Sequence, residues 1–245
     1  MAKSLSLEKI LFSQGFGTRR YCQDLVWAEL VKVNDVLMTD PDEKIDPEGS
    51  TLEVDGQIWQ YQAQAHVVFH KPSGYECSHK PSHHPSVYNL LPNPLIERGI
   101  QCVGRLDYDT TGLLLLTDDG QLIHRLTSPK KNIGKRYRIT LAEPSSDVLV
   151  KRLLTGVQLY DENTTSCANA CEITGEYEIE MVIPEGKYHQ VKRMVAAAGN
   201  PVTQLHRQAI GRFELPSDLA VGQWRWLSPE ELRSILLFVF KVSII

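Results

Sequence analysis

Apolar residues at helical spacing open the chain: Leu7, Ile10 and Leu11, then Cys22, Leu25, Val26 and Leu30, broken by Gly15-Phe16-Gly17-Thr18. From Val31 to Val36 the period changes to two, with an Asn-Asp turn, and a second strand is expected over Thr51 to Val54 after two Asp-Pro steps. Two helices and a short sheet over residues 1–58 follow from this pattern, and the Gln-rich Gln57 to Gln64 reads as a linker. Beyond it, His66 to His70 reads as a strand closed by Lys71-Pro72-Ser73-Gly74. Leu113 to Thr117 is a fully apolar strand ending at Asp118-Asp119-Gly120, a turn signal. Then come a short helix over Gln121 to Leu126, a strand over Lys135 to Leu141, and a helix over Ser146 to Leu154 capped by Ser145 or Ser146. A strand over Glu176 to Ile183, a helix over Tyr188 to Ala198 stopping at Gly199-Asn200, strands at Val202 to Leu205 and Arg212 to Leu215, and a helix from Pro229 complete the pattern. The expected class is α+β, with a mixed, largely antiparallel sheet flanked by helices.

Composition adds limits. The 245 residues are 42% hydrophobic and 23% charged, values of an ordinary globular protein large enough for one large and one small domain. The apolar run from Ile235 to Phe240, extended by Val242 to Ile245, is too short to span a bilayer and reads as the end of a core helix or an apolar tail. Met1-Ala2-Lys3-Ser4 leads directly into a helical pattern without the order of a signal peptide, so a cytoplasmic protein is expected. Five irregularly spaced cysteines fit reduced thiols better than a disulfide framework. Nothing demands a dimer, and a monomer is expected.

The net charge of −4 is unevenly spread. Residues 1–60 hold 11 acidic against 6 basic side chains, whereas residues 121–140 carry Arg125, Lys130, Lys131, Lys135, Arg136 and Arg138 without an acid. Such a stretch can follow a phosphate backbone, although a charge run is more often a solvated face.

Candidate chemistry concentrates in Cys102 to Thr117. A polar turn places Arg105 two residues before Asp107, immediately ahead of the buried strand, so Asp107 sits on a loop anchored by a rigid element. On its own that aspartate could equally be a turn residue. Cys77, His79, His83 and His84 invite a zinc reading, but the paired ligand spacing of zinc sites is missing and the segment is loop-like; no metal is expected. No glycine-rich phosphate cradle is present, and no cofactor is expected.

The stretch Gly104-Arg105-Leu106-Asp107 through Thr117-Asp118-Asp119-Gly120 resembles the signature of the pseudouridine synthases. Lys71-Pro72-Ser73-Gly74, Lys135-Arg136-Tyr137, Glu185 to Met194, and Leu205-His206-Arg207 to Gly211 resemble further motifs of the same family, in order. The resemblance covers nearly all of residues 65–232 and implies a catalytic domain over 65–245. Its implied catalytic set is Asp107, Tyr137 and Lys192, with Lys192 standing where Arg is more frequent, which keeps the charge but loses the bidentate fork. Arg105, His189, Gln190, Arg193, Leu205 and Arg207 are implied to contact substrate or RNA. Residues 1–58 resemble an S4-type RNA-binding module through Gly15 to Arg20 and Val31-Lys32-Val33-Asn34, which makes Arg19 and Arg20 expected RNA contacts, with 59–64 as the link.

The expected reaction is isomerisation of a uridine in 16S rRNA, or in a small-subunit assembly intermediate, to pseudouridine; the resemblance points to uridine 516. A carboxylate can attack C1′ of the sugar or remove its C2′ proton. The uridine must leave its stack, and an aromatic ring such as Tyr137 then suits the extruded base. Alternatives are a large-subunit rRNA synthase and a non-catalytic RNA-binding assembly factor.

Overall fold

The structure, a computed structural model, describes residues 4–160 and 162–236. By internal packing the chain divides into two units, one of residues 1–65 with 91–101 and the other of residues 66–90 with 102–245.

In the first unit, α1 (Leu7–Ser13) and α2 (Arg19–Trp27) pack through the apolar positions read from the sequence, with Leu7, Ile10, Leu11, Cys22, Leu25 and Val26 buried. Thr18 caps α2 by accepting from the Tyr21 amide at 3.2 Å. Four antiparallel strands follow: β1 (Val31–Val33), β2 (Val36–Leu37), β3 (Thr51–Val54) and β4 (Gln57–Gln60), in the order β2-β1-β3-β4. Asn34 and Asp35 both take positive φ, the turn that joins β1 to β2. The linker expected over 57–64 is in its first half a strand. Asp55 and Gly56 make a second positive-φ turn, and β4 pairs with β3 and buries Trp59, which donates to Gln14 at 3.2 Å. The Asp-Gly signal was present in the sequence, but glutamines around one tryptophan masked the alternation. The helix α3 (Asn93–Glu97) belongs to this unit, and Arg98 after it bonds to Gln14 and the Gln62 carbonyl.

The second unit is built on seven strands: β5 (His66–Lys71), β6 (Thr111–Thr117), β7 (Lys135–Leu141), β8 (Ala170–Gly175), β9 (Glu178–Ile183), β10 (Val202–Ile210) and β11 (Trp224–Trp226). Their order is β8-β9-β7-β10-β6-β5-β11, antiparallel except for the parallel β10–β6 pair, which matches the mixed, largely antiparallel sheet expected. The sequence reading missed β8 and β11 and ended β10 five residues early, because Leu205 to Ile210 mixes buried and polar residues without clean alternation. Around the sheet lie α4 (Gly120–Thr127), α5 (Asp147–Thr155), α6 (Gln190–Ala197) and α7 (Pro229–Leu236). Ser146 is the cap of α5, and Asp119 caps α4 by accepting from Gln121 and Leu122, so Asp118-Asp119-Gly120 starts a helix and not a hairpin. Leu113 and Leu115 of β6 pack with Val68, Leu122, Leu126, Ile210 and Ile235 into one core. Ile235 is thus the end of a core helix, whereas the expected apolar tail from residue 237 lies outside the described residues. Among the described residues no helix is long and apolar enough to cross a membrane.

Candidate active site

The carboxylate of Asp107 sits on a loop fixed from below. Lys71, the last residue of β5, is fully buried, and its ammonium donates to the carbonyls of Pro72 (3.0 Å), Tyr108 (3.0 Å) and Thr110 (2.8 Å). Three N–H donors meet three acceptors, so the group is saturated. Burial pulls Lys71 down to about 8, opposed by Cys77 and by the nearby carboxyls of Asp109 and Asp107. The Gly74 amide adds a bond to the Tyr108 carbonyl at 2.7 Å, and Thr110 closes the loop on the Asp107 carbonyl at 3.1 Å. The loop then enters β6 at Gly112, which pairs with Arg207 of β10 in the parallel register. Gly112 has a φ of +104°, and a Cβ there would lie 2.3 Å from the Arg207 carbonyl oxygen. Only glycine lets the two backbones approach so closely. Beside it, Thr111 Oγ1 bonds His206 Nδ1 at 2.9 Å.

The second wall is the segment leading into α6. His189 caps that helix in the left-handed conformation (φ 48°, ψ 29°), a strained backbone for a residue with a side chain. The turn is braced: the Gln190 side chain accepts from the Lys187 amide and donates to Glu185, both at 2.9 Å, while Glu162 pairs with Lys187 and with Arg193. So held, the imidazole Nε2 of His189 stands 3.4 Å from Asp107 Oδ1. Lys192, one turn along α6, stands 3.8 Å from Asp107 Oδ2 but bonds both oxygens of Asp109, at 2.6 and 2.7 Å. The expected Lys192–Asp107 pairing is therefore secondary to Lys192–Asp109. The ammonium is a point charge on a flexible stem, and it goes to the nearer carboxylate. Neither contact to Asp107 has the length of a charge-assisted hydrogen bond, about 2.8 Å.

Asp107, Arg105, Leu106, Thr110, Tyr137, Ile183, His189, Gln190, Val191 and Leu205 line one open cleft. Tyr137 and Leu205 are 6% exposed and come from neighbouring strands. The apolar lining suits a flat base and the polar edge suits a sugar and phosphate.

Other expected residues go elsewhere. Arg207 is 2% exposed, with Nε donating to the Leu113 carbonyl at 2.8 Å. Its place on β10 turns it inward, where it lines a second pocket together with Arg105, Lys135 and Tyr137. Arg193 donates to the Tyr188 carbonyl at 3.1 Å and braces the His189 turn. Arg19 and Arg20 are exposed on α2 of the first unit, Arg19 over the Phe12 ring. Two of the six residues of the basic stretch are paired with carboxylates: Arg136 with Glu180 and Glu214, Arg138 with Glu178. Lys135 is held down to about 8 by burial and by Arg207. The cysteine–histidine cluster divides: His79 stacks on Tyr88, His84 on Tyr108, and Cys77 lies against Cys102. Sequence reasoning missed Lys71 and Asp109 as site residues. Lys71 stood in a motif that was noticed, but it was read as part of a turn.

The family model for RNA pseudouridylate synthase matches residues 65–197. The chain is 37% identical to ribosomal small subunit pseudouridine synthase A of Yersinia pestis, covering 96% of this chain and 95% of that protein. It is 38% identical to the protein of the same name from Vibrio parahaemolyticus, covering 94% and 99%. A solved structure described as a pseudouridylate synthase superposes with a TM-score of 0.67 at 34% identity, covering 95% of this chain and all of that one. With that family model covering more than half of the chain, Asp107 and Tyr137 included, and with relatives matched at this identity over nearly their whole length, the chain belongs to the RNA pseudouridylate synthase family.

Proposed function

We propose that this protein isomerises one uridine of 16S rRNA to pseudouridine during small-subunit maturation, with Asp107 as the catalytic carboxylate. The observation that carries the reading is the Asp107 carboxylate on its clamped loop, in a cleft of mixed polar and apolar lining, beside a basic side chain and an imidazole. The names of the most similar relatives support the small-subunit target, and uridine 516 is the position proposed.

The chemistry follows from the lining. The uridine leaves its stack, and its base enters between Tyr137, Leu205, Ile183 and Val191. Asp107 must be ionised whether it attacks C1′ or takes the C2′ proton. The Lys192–Asp109 pair holds the ammonium at the site without consuming the oxygens of Asp107. After the glycosidic bond breaks, uracil rotates in the cleft and rejoins the sugar through C5. Tyr137, buried beside it, keeps the ring in place and is positioned to assist loss of the C5 proton. The N-terminal unit is proposed to be an S4-type RNA-binding module, with exposed Arg19 and Arg20 toward RNA.

Mapping of pseudouridines on rRNA from cells with and without the protein tests the reading. Loss of a single small-subunit position is expected. Loss of a large-subunit position instead would move the target, and an unchanged map would overturn the proposal.

A further inference from the structure

Two tyrosine–histidine stacks involve neighbours of Asp107, one through the next residue in the chain and one through the imidazole that reaches its carboxylate, and both tyrosines are exposed. Tyr108 follows Asp107 directly and is stacked on His84, with ring centroids 4.1 Å apart and planes 5° from parallel. Tyr188 precedes His189, whose imidazole reaches Asp107, and is stacked on that imidazole at 3.8 Å and 19°. Tyr108 is 46% exposed and Tyr188 is 77% exposed. The stacks come from two different segments, the catalytic loop and the entry to α6, that meet at one carboxylate.

Both rings are built into place. The Tyr108 carbonyl is held by Lys71 and by the Gly74 amide. His84 is presented by a loop tied through the Glu76 carboxylate, which accepts from the amides of Ser82 (3.0 Å), His83 (2.9 Å) and His84 (2.9 Å). The Tyr188 carbonyl accepts from Arg193, itself paired with Glu162. A tyrosine that served only to pack would bury its ring. Here the backbone of both tyrosines is anchored, an imidazole stacks on each ring, and a large part of each residue stays exposed. A nucleotide lifted out of its stack leaves its two neighbours each with a bare face, and aromatic rings replace such lost stacking in single-stranded RNA recognition.

We propose that Tyr108 and Tyr188 are stacking platforms for the nucleotides that flank the reacting uridine. The inference rests on the proposed uridine isomerisation at Asp107. The two rings would recognise the unpaired RNA strand around the target and set preference among neighbouring bases, while the cleft accepts the uridine itself. His84 and Glu76 would then be positioning residues that act through Tyr108.

The test uses the full-length protein and a synthetic RNA of the 16S sequence around the modified uridine, with 2-aminopurine at each flanking position in turn. Binding of the wild type should quench the probe. Tyr108→Ala and Tyr188→Ala should each abolish the quench at one flanking position and raise KM about 5- to 10-fold, the worth of one stacked base, with a smaller change in kcat. Tyr108→Phe and Tyr188→Phe, which keep the ring, should restore both signals, and His84→Ala should weaken only the Tyr108 signal. Unchanged KM and quench in both alanine variants, with wild-type turnover intact and the same melting temperature, would overturn this inference and leave the Asp107 reading standing. No pseudouridine formed by the wild type would instead overturn the reading beneath it.

Discussion

The floor and the rim of the Asp107 cleft each contain a lysine, and the two are used in opposite ways. Lys71, in the floor, has no exposure and spends all three donors on backbone carbonyls. Lys192, at the rim, has a partly exposed side chain, and its charge is shared between Asp109 at 2.6 Å and Asp107 at 3.8 Å. The first shapes a loop; the second supplies a field. A basic residue in a family motif can therefore be scaffold or electrostatic partner, and only its partners tell which.

Breaking the site at its centre should give the largest effect. Asp107→Asn keeps the size of the side chain and removes its charge, and turnover should fall at least about 1,000-fold, as for other catalytic groups that act as a unit. Single-turnover assays on 16S RNA check this, with RNA affinity changed by little. Retained turnover would remove Asp107 from its proposed role.

The floor should respond in stability. Lys71→Met removes a shared donor from the Pro72, Tyr108 and Thr110 carbonyls, of which Tyr108 keeps the Gly74 amide, and should cost about 2–4 kcal/mol, read as a lower denaturation midpoint together with lower turnover. If the variant melts like the wild type, the floor is not held by this lysine.

His206 sharpens the same side of the comparison through pH. Burial, with Arg138 and His70 near, holds it down to about 4, whereas the unfolded chain takes up its proton near the ordinary value of about 6.5. The folded state therefore binds fewer protons in that window. Its contribution is present above about pH 6.5 and is lost as pH falls toward 4, by about 2 kcal/mol. Denaturant melts from pH 7 to 4.5 should show that loss, and His206→Asn should show a flatter dependence.

The smallest effect on the fold is expected at the rim. Lys192→Gln should lower kcat about 100-fold, the low end for removing one electrostatic partner, with a melting temperature close to the wild type. A loss of stability as large as that of Lys71→Met would erase the distinction between floor and rim.

The legibility of these parts in the sequence differs for physical reasons. The helices α1 and α2 and the strand β6 follow from apolar spacing, because burial of one stripe or of a whole strand leaves a periodic trace. Strand β4 left no such trace: only Trp59 points into the core, among glutamines. Asp107 was visible through its motif and its anchored loop. Lys71 was visible as a letter in a turn, but its three carbonyl partners lie at Pro72, Tyr108 and Thr110, two of them nearly forty residues away.

The sequence by itself determined the local periods, the cap at Ser146 and the order of motifs that mark the family. These are properties of near neighbours along the chain or of single residue types. Tertiary structure alone decided that Lys192 goes first to Asp109, that Arg207 is buried, that Arg136 and Arg138 are neutralised, and that Tyr108 and Tyr188 stand exposed around one carboxylate. Charge pairing and burial depend on distances between segments far apart in sequence, and those distances exist only once the parallel β10–β6 pair and the α6 entry have brought the segments together.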